Sequence, residues 1–417
     1  MALVAVVAFL LADAAAPFTG FNPDESRWLS RAHYLAALAD PFGPVWADQY
    51  MTRGQPPLGS YVMGAGLLLQ GHDLRTNPPW DFSITWEANF AVGNGPSDSD
   101  LAAGRRTSAF LTALTAAAVV YVAQAFVPFG WALLTGLLYA VHPFTLYIGS
   151  LAMSDALFAF LIALAAGIGA SFAELPTVPR AIAGGATLGL GAATKLSPLV
   201  LAALLGSGSL ALALRPFVSR GSWPSTARPL ARGGIIAAAA ACITFVAVYP
   251  YLWPDPVGRT RNLFAFRTAE MAQQASDWPA MAVPTRIEAL RRVAVNFGER
   301  FTLSDTLTAL VGQDAPTAAH VVELLIPLAG LAVMIAIAVR AGPLSAPFLV
   351  LMLLGGQVAI TILGMRSEFD RYHVPMAILG VVAAGTGLRA MSLAARCLWL
   401  RRAMRSRTAA DPGRHGP

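Results

Sequence analysis

The chain is poor in charge. Only 12% of its 417 residues are Asp, Glu, Lys or Arg, about half of the ~25% that a soluble domain carries. Together with 56% hydrophobic residues and a mean hydropathy of +0.58, this excludes an ordinary water-soluble globule. Cysteine is nearly absent. Cys242 in an apolar run and Cys397 near a basic tail make no disulfide framework. No His/Cys cluster has metal-ligand spacing, and no Walker or dinucleotide fingerprint is present, so nucleotide use has no visible site. Lysine is the scarcest charge: of 29 basic residues all but Lys195 are arginine, and Lys195 lies inside an apolar region. The net charge of +6 gives no case for nucleic acid, because the arginines are spread over loops that flank apolar runs.

Those runs are what the chain has in abundance. Repeated stretches of roughly 17–22 apolar residues between charged loops predict an all-α polytopic membrane protein. Ten crossings are expected, near residues 1–19, 105–126, 129–147, 154–173, 182–194, 197–214, 233–251, 319–339, 343–364 and 372–390. The fifth and sixth are short and meet at Thr194-Lys195-Leu196-Ser197-Pro198 as a hairpin. A cleaved signal peptide, with Ala12-Asp13-Ala14 as its site, is a competing reading of the N-terminus, but no basic segment precedes it.

Charge sets the orientation through the positive-inside rule. Arg215, Arg220, Arg228 and Arg232 share a segment without an acid, and the tail carries Arg389, Arg396, Arg401, Arg402, Arg405, Arg407 and Arg414 against Asp411 alone. Both segments are expected in the cytoplasm, as are both termini. Two long loops, 20–104 and 252–318, then lie outside. Residues 1–390 read as a single module and 391–417 as a disordered basic tail. Within the first loop, helices are expected from Asp24 to Ala39 and from Pro57 to Leu69, followed by loop around Trp80 and Trp86. In the second loop Ile287, Leu290, Ala294, Phe297 and Phe301 recur at helical spacing, a stripe suited to the bilayer interface. No internal repeat is seen.

The polar residues that could carry chemistry gather on the outer side. Asp24 and Glu25 stand where the first apolar run ends, in Phe21-Asn22-Pro23-Asp24-Glu25-Ser26-Arg27. Adjacent helical residues point about 100° apart, so the pair cannot flank a sugar as glycosidase carboxylates do. Asp24, following a proline, could equally cap a helix. Arg53 and Gln55 precede Pro56-Pro57, a helix opening that suits an anionic group. Asp155 sits at the outer entry of the fourth span, again with capping as the rival role. A charge such as Lys195 inside a span costs about 2.5–3.5 kcal/mol, so a phosphate or a carboxylate such as Asp155 should satisfy it. Arg105 and Arg106 begin the second span, and Arg366, Asp370, Arg371 and Tyr372 begin the tenth, where interfacial anchoring competes with ligand binding. Asp13 and His142 read as packing or capping residues.

In order along the chain, these segments resemble the C-superfamily membrane glycosyltransferases that use polyprenyl-phosphate sugars, among them bacterial relatives of the protein O-mannosyltransferases and the aminoarabinose transferases. Asp24-Glu25 matches the acidic motif of the first outer loop, and Gln55-Pro56-Pro57-Leu58 resembles its Pro-Pro-Leu motif. Arg105-Arg106-Thr107-Ser108-Ala109 is similar to the opening of the second span, and His142-Pro143-Phe144 leading to Ser154-Asp155-Ala156 resembles the third-to-fourth junction. Gly189-Leu190-Gly191-Ala192-Ala193-Thr194-Lys195, the Tyr249-to-Pro256 segment and Arg371-Tyr372 fit the later landmarks. The departure is Gln55, where relatives often have lysine or histidine; Arg53 is the nearest substitute for a phosphate contact.

The resemblance implies an inverting transfer at the outer face of a bacterial cytoplasmic membrane, from a polyprenyl-phosphate sugar to a hydroxyl acceptor on protein, lipid or cell-wall glycan. It implies Asp24 as general base and Glu25 on the acceptor side. Arg105 and Lys195, with Arg53 or Arg371, would face the phosphate, and Asp155 would hold Lys195 or the base. Gln55 and Tyr372 complete the expected binding set. No cofactor is called for, and a divalent metal is compatible but not indicated. The rival from another class is a transporter or lipid flippase with Lys195 and Asp13 as coupling charges, against which stand the long outer loops and the absence of repeats.

Overall fold

The computed structural model describes residues 1–218, 227–312 and 316–410, and these are helical with no strand. Arg220, Asp411 and Arg414, which entered the charge argument, lie outside the described residues. The principal helices are α1 (Ala2–Ala15), α2 (Pro23–Ser30), α3 (Leu58–Leu69), α4 (Asp98–Ala123), α5 (Phe129–Val141), α6 (Pro143–Gly149), α7 (Asp155–Glu174) and α8 (Val178–Ala192). They continue with α9 (Ser197–Val218), α10 (Ala227–Ala247), α11 (Pro256–Asp277), α12 (Arg286–Val295), α13 (Thr317–Ala341), α14 (Ala346–Gly364) and α15 (Val374–Ala410).

The protein is an all-α polytopic membrane protein. Among the described residues, 7 helices are long and apolar enough to cross a membrane, or 9 if each of two bent pairs is one span. Two of the expected spans are bent or short. The third expected span breaks into α5 and α6 with a 62° bend at His142-Pro143, because a proline disfavours helical geometry in the residue before it. The fifth is α8, only 15 residues long. It is tied to α10 by close backbone approach: a Cβ at Gly185 or Gly189 would fall 2.1 and 2.5 Å from the carbonyl oxygens of Ala237 and Ala241.

The first span turns sharply into the site. The axes of Ala2–Phe18 and Pro23–Ala37 meet at 115°. Asn22 caps α2, accepting from the Asp24 amide at 3.0 Å, while Glu25 at the third position accepts from the Asn22 amide at 2.9 Å. This reciprocal capping box sets where α2 starts. It also gives the capping role to Asn22, leaving the Asp24 side chain free of it.

The two long loops are bound to the bundle by named contacts. The amide of Leu58 donates to the Ala193 carbonyl at 2.9 Å, setting α3 against the tip of the α8–α9 hairpin. An isolated bridge between Ala282 and Ser367, flanked by bonds from Val283 to the Arg366 carbonyl and from Glu368 to the Met281 carbonyl, both 2.8 Å, holds the 365–373 turn against the second loop. The apolar stripe divides. Ile287, Leu290 and Ala294 on α12 are exposed, as an interfacial face requires. A π-helical turn over Asn296–Arg300 then redirects Phe297 and Phe301 onto Phe144 and Tyr147. α15 runs on as far as Ala410, through strong helix formers with no proline or glycine between Gly387 and that residue; the rest of the expected disordered tail lies outside the described residues.

Candidate active site

Two cavities meet where the first loop, the second loop and the 365–373 turn converge. The larger has a volume of about 1030 Å³ and is lined by Asp24, Arg27, Trp28, Arg267, Glu270, Arg300 and Arg371 among others. The smaller, about 300 Å³, is mostly apolar, with Phe158, Val200, Phe264 and Ile360 on its walls and Asp155, Lys195, Arg267, Arg371 and Tyr372 at its polar end. Trp28, Gln55, Arg267 and Arg371 belong to both. The site thus has a polar chamber joined to an apolar slot through a basic junction.

Asp24 lies on the chamber side of that junction. Its carboxylate forms an ion pair with Arg371, and both side chains keep partial access, 19% and 16%. Lys195 donates to one oxygen of Asp155 at 2.5 Å; Asp155 is 1% exposed and its second oxygen has no partner. The capping alternative for Asp155 does not apply, because it is the first residue of α7 and accepts no bond there. Rings of Phe158 and Tyr372 stand 5.7 and 6.0 Å from the Lys195 ammonium. Tyr372 accepts from Arg267 at 3.5 Å, and Arg267 also pairs with Glu270.

Three expected contacts are placed differently. Glu25 is fully buried and accepts four hydrogen bonds: from Arg105 Nε and Nη2, both 2.8 Å, and from the amides of Asn22 and Ala152 at 2.9 and 2.8 Å. It has no face left for an acceptor. Arg105 spends its remaining N–H groups on the carbonyls of Ala16, Thr19 and Gly20, so it does not reach a phosphate. Arg53 pairs with Asp48 at 3.2 Å and lies over Phe266, and it lines neither cavity. Arg106 likewise faces elsewhere, 3.4 Å from Asp13. His142 accepts from the Phe144 amide at 3.2 Å, the capping role expected of it.

In the chamber wall, where Glu368 and Arg292 line it, a second polar network supports the turn that carries Arg371. Glu368 accepts from Arg292 at 2.8 Å, from Asn296 at 2.6 Å and from buried His373 at 2.9 Å. Burial alone would raise the Glu368 carboxyl, but the bonds from His373 and Arg292 outweigh it and hold the group down at about 2. Among the described residues no group of three or more His, Cys, Asp or Glu side chains is arranged to hold a metal ion.

Sequence reasoning missed Arg267 and Trp28, although both line the junction. Trp28 was within reach of it: four residues after Asp24, it shares a helical face with it. Arg267 carries no such signal, being one arginine among several on α11.

No protein-family model matches the sequence, and no curated protein sequence does either. The fold does have counterparts. Archaeal oligosaccharyltransferase AglB from Archaeoglobus fulgidus, in complex with an inhibitory peptide and a dolichol-phosphate, aligns with a TM-score of 0.53 at 13% identity, over 99% of this chain and 52% of its own. The A. fulgidus oligosaccharyltransferase tethered with an acceptor peptide aligns at 0.54 and 14% identity, over 96% of this chain and 50% of its own. The chain therefore shares the fold of the membrane part of these oligosaccharyltransferase structures. The chain spans about half the length of the structures it matches. The S. cerevisiae Pmt1–Pmt2 protein O-mannosyltransferase complex bound to the sugar donor aligns over 60% of this chain and 32% of its own at 18% identity, and its TM-score of 0.41 carries no weight.

Proposed function

We propose that this membrane protein of C-superfamily fold transfers a glycosyl group from a polyprenyl-phosphate donor to a hydroxyl acceptor at the extracytoplasmic face. The observation that carries the reading is Arg371, which pairs with Asp24 and lines both the polar chamber and the apolar slot. The slot suits a prenyl chain, and its polar end, with Lys195, Arg267, Arg371 and Tyr372, suits a phosphate. The chamber suits a sugar and its acceptor.

In this mechanism the acceptor oxygen attacks the anomeric carbon from the side of Asp24. The bond from that carbon to the phosphate oxygen breaks with its electron pair leaving on the phosphate, and the acceptor proton passes to Asp24. A prenyl phosphate leaves as a stable anion, so no general acid is needed. Lys195, Arg267 and Arg371 stabilise the charge that develops on it. As the phosphate arrives it competes for Arg371, which frees the Asp24 oxygen to take the proton. Asp155 holds Lys195 in place. Glu25 and Arg105 act only by fixing α2, and so the position of Asp24.

The test is release of polyprenyl phosphate from sugar-loaded donor by the purified protein in nanodiscs with an acceptor fraction from its own envelope. Release that depends on the acceptor fraction supports the reading. Movement of intact donor between leaflets without release would favour a flippase. Asp13 does not help that rival, since it pairs with Arg106 and lines neither cavity.

A further inference from the structure

A cation without a counter-charge stands beside the site. Arg31 follows α2 and is 3% exposed. Its Nη2 donates to the Gln55 carbonyl at 2.8 Å, its Nε has no hydrogen-bond partner, and it makes no ion pair among the described residues. Arg105, the other arginine buried this deeply, holds Glu25 with two bonds. Trp28 and Tyr34 do face the Arg31 guanidinium, at 5.5 and 4.9 Å from their ring centres. Cation–π attraction offsets only part of the cost of taking a guanidinium out of water. A guanidinium in this setting is suited to an anionic partner.

The space around Arg31 says where that anion would come from. Arg31 lines the main chamber and also a separate cavity of about 660 Å³. The walls of this third space include Arg75, His33, Gln49 and Asn77 and, among the described residues, no carboxylate. Arg75 is exposed there and makes no ion pair among the described residues. The donor phosphate is a poor candidate, because Arg31 does not line the slot that holds Lys195 and Tyr372. Asp24 and Arg31 are seven residues apart, close to two helical turns, so they share one face about 10 Å apart along the axis.

We propose that Arg31, assisted by Arg75, recognises a carboxylate or phosphate carried by the acceptor, about 10 Å from the hydroxyl presented to Asp24. The acceptor is then an anionic glycan or glycolipid rather than a neutral one. That the ligand is an acceptor rests on the transferase reading; that an anion binds at Arg31 does not.

The experiment uses the full-length protein in phosphatidylcholine nanodiscs, titrated with glucuronate, glucose 6-phosphate and methyl glucoside by saturation-transfer NMR, with radiolabelled polyprenyl phosphate binding measured in parallel. At least one anionic sugar should bind about tenfold or more tightly than methyl glucoside, and whichever does so identifies the anion. Arg31→Gln should remove the preference and Arg31→Lys should keep much of it, which covers the case of a misfolded Gln variant. Lys195→Gln should weaken polyprenyl phosphate and spare the preference. Equal binding of all three sugars by the wild type, or an Arg31→Gln protein that folds and keeps the preference, overturns the proposal. So does a loss of polyprenyl phosphate binding in Arg31→Gln as large as in Lys195→Gln, which would move Arg31 to the donor side. Repeating the titration with phosphatidylglycerol in the discs separates the sources: unchanged sugar affinity supports an acceptor group, and competition by the lipid overturns it. An intact anion preference with no release of polyprenyl phosphate from any donor would overturn the transferase reading and leave the Arg31 site standing.

Discussion

Glu25 accepts four hydrogen bonds in a sealed pocket, whereas Asp24, one residue earlier on the same helix, faces a chamber of about 1030 Å³ and pairs with a single arginine. Their arginines differ in the same way. Arg105 is immobilised by five acceptor contacts, and Arg371 is shared between two cavities with part of its surface free. A fully satisfied buried carboxylate has nothing to offer a substrate, because any new bond must displace an existing one. A partly exposed carboxylate with one partner can exchange it. The first pair builds the site and the second can act in it.

The largest effect should come from the exposed member. Asp24→Asn keeps shape and hydrogen-bonding capacity but cannot take a proton. Loss of a general base is worth about 10²–10⁴-fold in rate, so release of polyprenyl phosphate should fall by that factor. The thermal unfolding midpoint should stay within a degree or two of wild type, as expected for a residue outside the core. Near-normal turnover would break the comparison by removing Asp24 from the chemistry.

Glu25→Gln should do the reverse. It leaves the Arg105 guanidinium buried without a counter-charge, and breaking a buried pair from one side costs about 3–5 kcal/mol. The expected result is a lower yield of monodisperse protein and a lower unfolding midpoint. The fraction that folds should retain turnover. A stable Glu25→Gln protein with selectively weakened acceptor binding would show instead that Glu25 meets the acceptor.

Lys195 and Asp155 lie between these extremes, with a buried carboxylate and a cation that keeps 23% exposure. Lys195→Met leaves both Asp155 oxygens without partners, so stability should fall by about 1–3 kcal/mol. The donor KM should rise about tenfold, equivalent to about 1.4 kcal/mol. A stability change without a KM change would place this pair with Glu25 and Arg105 as structure.

Which residues the sequence exposed follows from the same distinction. The apolar runs, the break in helix direction just before Asp24 and the need of Lys195 for a carboxylate were legible because each is a local conflict between a residue and its surroundings. The sealing of Glu25 was not legible, since it depends on Ala152 and on carbonyls from residues 16 to 20 arriving from other segments. Arg53 looked like a phosphate ligand on helix-terminus grounds, but Asp48, five residues away, takes it. Arg267 reaches the junction only because α11 folds back over the first loop, a placement with no periodic signature. The bend between α5 and α6 was written in His142-Pro143, yet its effect on the span count appears only with the axes in view.

The smallest effect concerns the chamber wall beside Arg371 and tests whether a buried network there behaves like the Glu25 pair. Glu368 is held at about 2, against an ordinary value of 4.5, through His373 and Arg292 despite its burial. A carboxyl with a depressed folded value adds stability that is present above its unfolded pKa and is lost as pH falls toward the folded one. The loss should therefore run from about pH 4.5 down to about pH 2. Allowing for screening by water in the chamber, it should amount to about 1–2 kcal/mol. Unfolding midpoints of wild type and Glu368→Gln should converge as pH is lowered through that window, and remain apart at neutral pH. Curves that stay parallel would mean that Glu368 is exposed enough to exchange partners, placing it with Asp24 rather than with Glu25.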